Sequence, residues 1–114
     1  MPTPTIKSPF GVADQFVLAA TGTTAIAVAN THSVIDGATI PLTASVVLNL
    51  TIDPRLPMAA KMYIKISTVG ATTVTFGTGF LVPVLTGVAG KTFAMALYYD
   101  GTKYLPTGAP YQVN

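Results

Sequence analysis

The stretch Ser45-Val46-Val47-Leu48-Asn49-Leu50-Thr51-Ile52 decides how the chain is read. Val46, Leu48, Leu50 and Ile52 share one parity; Val47, Asn49 and Thr51 share the other. A period of two belongs to a strand, whose successive side chains point to opposite faces, and not to a helix with its period of 3.6. One face of this strand is wholly aliphatic and reads as core. The run Asp53-Pro54-Arg55-Leu56-Pro57 ends it, because proline has no N–H to give to a ladder.

The same alternation recurs on both sides. In Lys61 to Ser67, Met62, Ile64 and Ile66 point inward while Lys61, Tyr63 and Lys65 point outward. In Thr92 to Tyr99, Phe93, Met95, Leu97 and Tyr99 alternate with Thr92, Ala94, Ala96 and Tyr98. Thr24 to Ala29 places Ile26 and Val28 on one face. Shorter candidates are Gln15 to Ala20, Ser33 to Ile35, Ala38 to Leu42, Thr72 to Phe76, Phe80 to Val84 and Thr102 to Leu105. Pro41 and Pro83 mark an edge or a bulge. Turn chemistry separates the strands: Thr21-Gly22-Thr23, Asp36-Gly37, a short hairpin connection over Thr68 to Ala71, a bend at Gly77-Thr78-Gly79, and Asp100-Gly101. The last suits a type I′ turn with both central residues at positive φ. About eight short strands at this spacing predict an all-β domain, an antiparallel β-sandwich of jelly-roll type. No internal repeat of fixed period is present, so a solenoid is not expected.

Composition agrees. The 114 residues include 18 Thr and 12 Val, β-branched side chains that sit well on a pleated surface. Half the chain is hydrophobic and only 9% is charged, against roughly 25% in an average soluble domain. The net charge of +2 is too small for a phosphate-tracking stripe, so nucleic acid is not an expected partner. There is no Cys, which excludes disulfides, thiolate metal sites and a Cys nucleophile. Apolar runs break well before the ~18 residues of a membrane helix. The start, Met1-Pro2-Thr3-Pro4-Thr5, has neither the basic nor the apolar region of a signal peptide, so none is expected, and the broken apolar runs give no expectation of a membrane partner. Three regions follow: a Pro-rich extended arm over 1–14, a β-domain over 15–105 and an irregular tail over 106–114. In the arm Pro2, Pro4 and Pro9 fix the backbone, and with Phe10 they are candidates for anchoring it to a neighbour.

Little of the sequence reads as catalytic chemistry. His32 is the one histidine, and Asp36 lies four residues away, roughly 13 Å in extended chain. That is not a nucleophile–base–orienter set, and no enzyme activity is expected. Asp36, Asp53 and Asp100 stand where Asp turns a chain by bonding its own backbone. No spacing suits a metal, and no cofactor is expected. The tyrosines are the richest set. Tyr98 and Tyr99 precede the Asp100-Gly101 turn and Tyr104 follows it. They read as cross-strand aromatic pairs, as a subunit contact, or as a platform for a glycan.

The ending Phe93-Ala94-Met95-Ala96-Leu97-Tyr98-Tyr99-Asp100-Gly101-Thr102-Lys103-Tyr104 resembles the aromatic-Asp-Gly-Thr-x-aromatic closing hairpin common in virion proteins of tailed phages. Val74-Thr75-Phe76-Gly77-Thr78-Gly79-Phe80 is similar to strand–turn segments of the same material. The resemblance covers roughly Phe16 to Leu105. It implies a small structural domain, as in capsid decoration proteins, head fibres and tail-fibre modules, commonly homotrimeric. The expected function is then that of an oligomeric (trimeric) capsid decoration or auxiliary capsid/head-fibre subunit that binds the particle through its arm and neutral faces. It would be made in the host cytoplasm and held on the particle surface, with copies of itself and a major capsid or other virion protein as partners. The alternative is a carbohydrate- or receptor-binding module of a phage fibre.

Overall fold

The computed structural model describes residues 14–114. Ten strands are present among them: β1 (Asp14–Val17), β2 (Gly22–Val28), β3 (His32–Leu42), β4 (Val46–Ile52), β5 (Lys61–Thr68), β6 (Thr73–Phe76), β7 (Leu85–Thr86), β8 (Thr92–Tyr99), β9 (Tyr104–Pro106) and β10 (Tyr111–Gln112). They form two mixed sheets. The larger has the order β1-β3-β5-β8-β10, with β9 also on β8; the smaller has the order β2-β4-β6-β7.

From β1 to β6 the chain alternates between the sheets strand by strand. Each same-sheet neighbour is reached only after a passage through the other sheet, so it runs in the same direction. The pairs β1–β3, β3–β5, β2–β4 and β4–β6 are all parallel. Only the later part is antiparallel, through β5–β8, β8–β9, β8–β10 and β6–β7. The expected antiparallel pairing is thus corrected to a mixed one, and these pairings give no support to a jelly roll. Parallel neighbours need a long crossover, and here a strand of the opposite sheet supplies it. The links over 18–21, 29–31 and 43–45 look like hairpin turns in sequence because they are equally short. The Thr68 to Ala71 segment, expected as a hairpin connection, likewise carries the chain from β5 in one sheet to β6 in the other.

The alternating pattern places the core. Val46, Leu48 and Leu50 of β4, Met62, Ile64 and Ile66 of β5, and Met95 and Leu97 of β8 are buried, as their parity requires. Both sheets contribute their apolar faces to one hydrophobic cluster.

Local details differ from the sequence expectation. The two segments Ser33 to Ile35 and Ala38 to Leu42 are one strand, β3, with a register shift between Gly37 and Leu42 that takes in Pro41. Asp36-Gly37 is therefore no chain reversal. The Asp36 carboxylate accepts the N–H groups of Ala38 and Thr39 at 2.8 and 3.0 Å, which holds the irregular stretch. The Asp100-Gly101 turn is a four-residue loop, since Tyr99 pairs with Tyr104. Gly101 alone of its four residues has positive φ (+101°), so it is not type I′. Phe80 makes only an isolated bridge, to Tyr104. The expected irregular tail also carries order: β10 pairs with β8, and Asn114 Oδ1 accepts the Thr92 N–H at 2.6 Å.

Candidate functional site

The strand registers line side chains into rows across the outer face of the larger sheet. One row reads Val17–Asp36–Lys65–Ala94–Tyr111, and the next Gln15–Val34–Tyr63–Ala96. A third reads His32–Lys61–Tyr98–Leu105. Ala94 and Ala96 lie on β8, between β5 and the edge strand β10, with the exposed rings of Tyr63 and Tyr111 beside them. The small side chains leave a hollow of about 340 Å³ between the rings, reaching Val34 and Lys65. A second hollow of about 230 Å³ lies toward β1, lined by Gln15, Val17, Asp36 and Thr39 among others. Val34 and Lys65 border both.

Charge on this face is arranged unevenly. Asp36 is engaged by its own strand, through Thr39 Oγ1 at 2.5 Å as well as the two backbone N–H groups. These bonds hold its carboxyl below the ordinary value, the Thr39 hydroxyl most of all. Lys65 contributes a smaller electrostatic effect in the same direction. The one ion pair among the described residues lies elsewhere, between Arg55 and Asp53 at 2.8 Å. Lys61 and Lys65 therefore carry cationic charge without a carboxylate in ion-pair contact.

The smaller sheet presents a different surface. Its strands β2, β4, β6 and β7 contain no ionisable residue. The outward rows are Thr23–Val47–Thr75, Ala25–Asn49 and Ala27–Thr51. Strand β2 is an edge: among the described residues it pairs with β4 alone. Its seven residues, Gly-Thr-Thr-Ala-Ile-Ala-Val, include no Lys and no Pro, the usual guards against pairing with another chain.

The tyrosines expected at the site separate. Tyr98 is exposed on the larger sheet's outer face. Tyr99 and Tyr104 point the other way and are buried, so neither presents a ring to a ligand. Their rings pack across β8–β9 with centroids 5.3 Å apart, which is the cross-strand aromatic pair. Tyr99 donates its hydroxyl to the Gly101 carbonyl at 2.9 Å. The Tyr104 hydroxyl has no protein partner, and burial pushes its pKa up to about 12. His32 is exposed, its Nδ1 3.3 Å from Thr31 Oγ1. Asp53 and Asp100 serve their loops. The Arg55 side chain holds the Asp53 carboxyl at about 2. Backbone N–H groups of Lys103 and Thr102 lower that of Asp100. Pro2, Pro4, Pro9 and Phe10 lie outside the described residues.

Sequence reasoning placed Tyr63 and Lys65 outward but did not connect them with Tyr111. The signal was there in part: Ala94 and Ala96 fall on the outward parity of β8. What joins these residues is the β5–β8–β10 register, which no local pattern carries. Comparison with known protein families, curated proteins and solved structures finds no match.

Proposed function

We propose that the chain is a self-associating structural subunit whose copies pack through the outer face of the smaller sheet. The observation that carries this reading is the complete lack of ionisable residues in β2, β4, β6 and β7. Soluble domains ordinarily protect such faces with mixed charge. An uncharged surface of Thr, Ala, Val and Asn loses little on desolvation when it meets its own copy. The unguarded β2 edge borders the same face and favours association further.

In this reading the two sheets pack as a sandwich, and the chain works as the resemblance of its closing hairpin implies. It is a decoration or head-fibre subunit of a phage particle, a homotrimer seated on a capsid or other virion protein. The mass of the protein in solution at micromolar concentration tests the proposal; a monomer throughout would refute it. A second reading is supported by the trough between Tyr63 and Tyr111 on the opposite face. There the subunit binds carbohydrate, and the ligand meets Tyr63, Tyr111 and the neighbouring Tyr98 in place of the buried Tyr99 and Tyr104.

A further inference from the structure

The two hollows on the larger sheet lie in line, crossing the strands from β1 to β10 and meeting at Val34 and Lys65. We propose that this trough binds a linear acidic saccharide laid across the strands, an inference that rests on the carbohydrate reading above. Four inter-strand steps of ~4.8 Å give the trough a length of roughly 19 Å, which suits a short oligomer rather than a single ring. The Ala94–Ala96 floor is shallow and apolar, and the walls at its end are the exposed rings of Tyr63 and Tyr111. Aromatic faces of this kind take the C–H face of a sugar ring, while the hydroxyls at the ring's rim stay in water.

Charge selects the sugar. Lys65 stands at the waist of the trough, and Lys61 lies four residues away on the same face of β5, beyond the trough's lining. The neighbouring carboxylate, Asp36, is turned onto Ala38 and Thr39. An acidic ring threaded past Tyr63 through the hollow between β5 and β10, whose lining holds Lys65 and no carboxylate, brings its own carboxylate into the ion-pair contact that Asp36, across the register, does not make. A peptide adding a strand pairs along a sheet edge, and this trough runs across the strands over their outer face. A single nucleic-acid strand also stacks on aromatic rings, but tracking its backbone needs more cations than two lysines.

The test is an amide chemical-shift titration with a galacturonic acid hexamer and, separately, with neutral cellohexaose and with hexathymidylate. The acidic hexamer is expected to shift resonances of β3, β5, β8 and β10, and to bind more weakly as salt rises. Lys65→Met should weaken it by about fivefold at low salt and remove most of the salt dependence. Tyr63→Ala combined with Tyr111→Ala should weaken it on the order of tenfold. All three side chains are on the outer face, and each variant's own spectrum reports its fold. Ala94→Leu, which fills the floor and removes no contact group, should also block binding. Equal or tighter binding of cellohexaose would overturn the acidic specificity and leave the carbohydrate reading standing. No binding of either hexamer would overturn both, as would tighter binding of hexathymidylate.

Discussion

Asn49 reaches from the outer face of β4 and accepts the backbone N–H of Thr78 through Oδ1 at 2.9 Å. The bond ties β4 to the bend that follows β6, where Leu50 N–H in turn donates to the Thr78 carbonyl at 2.8 Å. Gly79 closes the bend with φ +86°, and a Cβ there would lie 2.7 Å from Leu50 Cβ. The side chain that looks dispensable by parity thus fixes a turn. Asn49→Ala should cost about 0.5–1.5 kcal/mol, the worth of one such hydrogen bond. Leu50→Ala, on the buried face, should cost about 2–5 kcal/mol. Urea melts of the two variants check the order; equal effects would mean that the strand faces are wrongly assigned.

Tyr104 gives a prediction of opposite sign. Its hydroxyl is buried without a protein partner, so Tyr104→Phe removes a polar group that gains nothing from folding. The variant should be as stable as the parent, or more stable by up to about 1 kcal/mol. The same residue shapes the alkaline limb. The folded chain holds the phenolic proton up to about 12, whereas the unfolded chain releases it near 10. Between those values the native state binds more protons, so stability falls as pH rises from 10 to 12. Denaturant midpoints across that range should drop for the parent, with less slope for Tyr104→Phe.

On the acid side the sign reverses. Asp36, Asp53 and Asp100 all hold their carboxyls below the ordinary value of 3.8, Asp53 at about 2. Their contribution is present above pH 4 and is lost as pH falls through the folded values. Urea midpoints should be flat near neutrality and decline from about pH 4 toward pH 2. Asp36→Asn should lower the midpoint at pH 7 more than at pH 2, because its bonds to Ala38 and Thr39 depend on the carboxylate.

How much of this could be read in advance follows from the range of each interaction. Val46 to Ile52, Met62 to Ile66 and Met95 to Tyr99 announced their buried faces because strand parity is local. The direction of pairing was not local. A three-residue link such as 29–31 closes a hairpin or crosses to the opposite sheet with the same residues, and nothing in Asn30-Thr31 distinguishes the two. Asp36-Gly37 misled for a related reason: an Asp that bonds two residues ahead makes a turn in one setting and a bulge in a long strand in another. Tyr99 and Tyr104 were recognisable as a cross-strand pair, yet their burial depended on which side of β8 faced the core. The trough is not legible in the sequence because Tyr63, Ala94, Ala96 and Tyr111 come from three strands.

The central claim is that the uncharged face of the smaller sheet joins copies of the chain. Sedimentation equilibrium at micromolar concentration, on the parent and on Ala25→Lys combined with Thr51→Lys, tests it most directly. Both side chains point outward from adjacent strands, so the charges enter the face without touching the core. The parent should weigh a multiple of the 11.8 kDa chain, three times that mass for the trimer, and the lysine variant should fall to a single chain with its fold intact. A parent that sediments at 11.8 kDa at every concentration, or an assembly indifferent to the two lysines, would contradict the account.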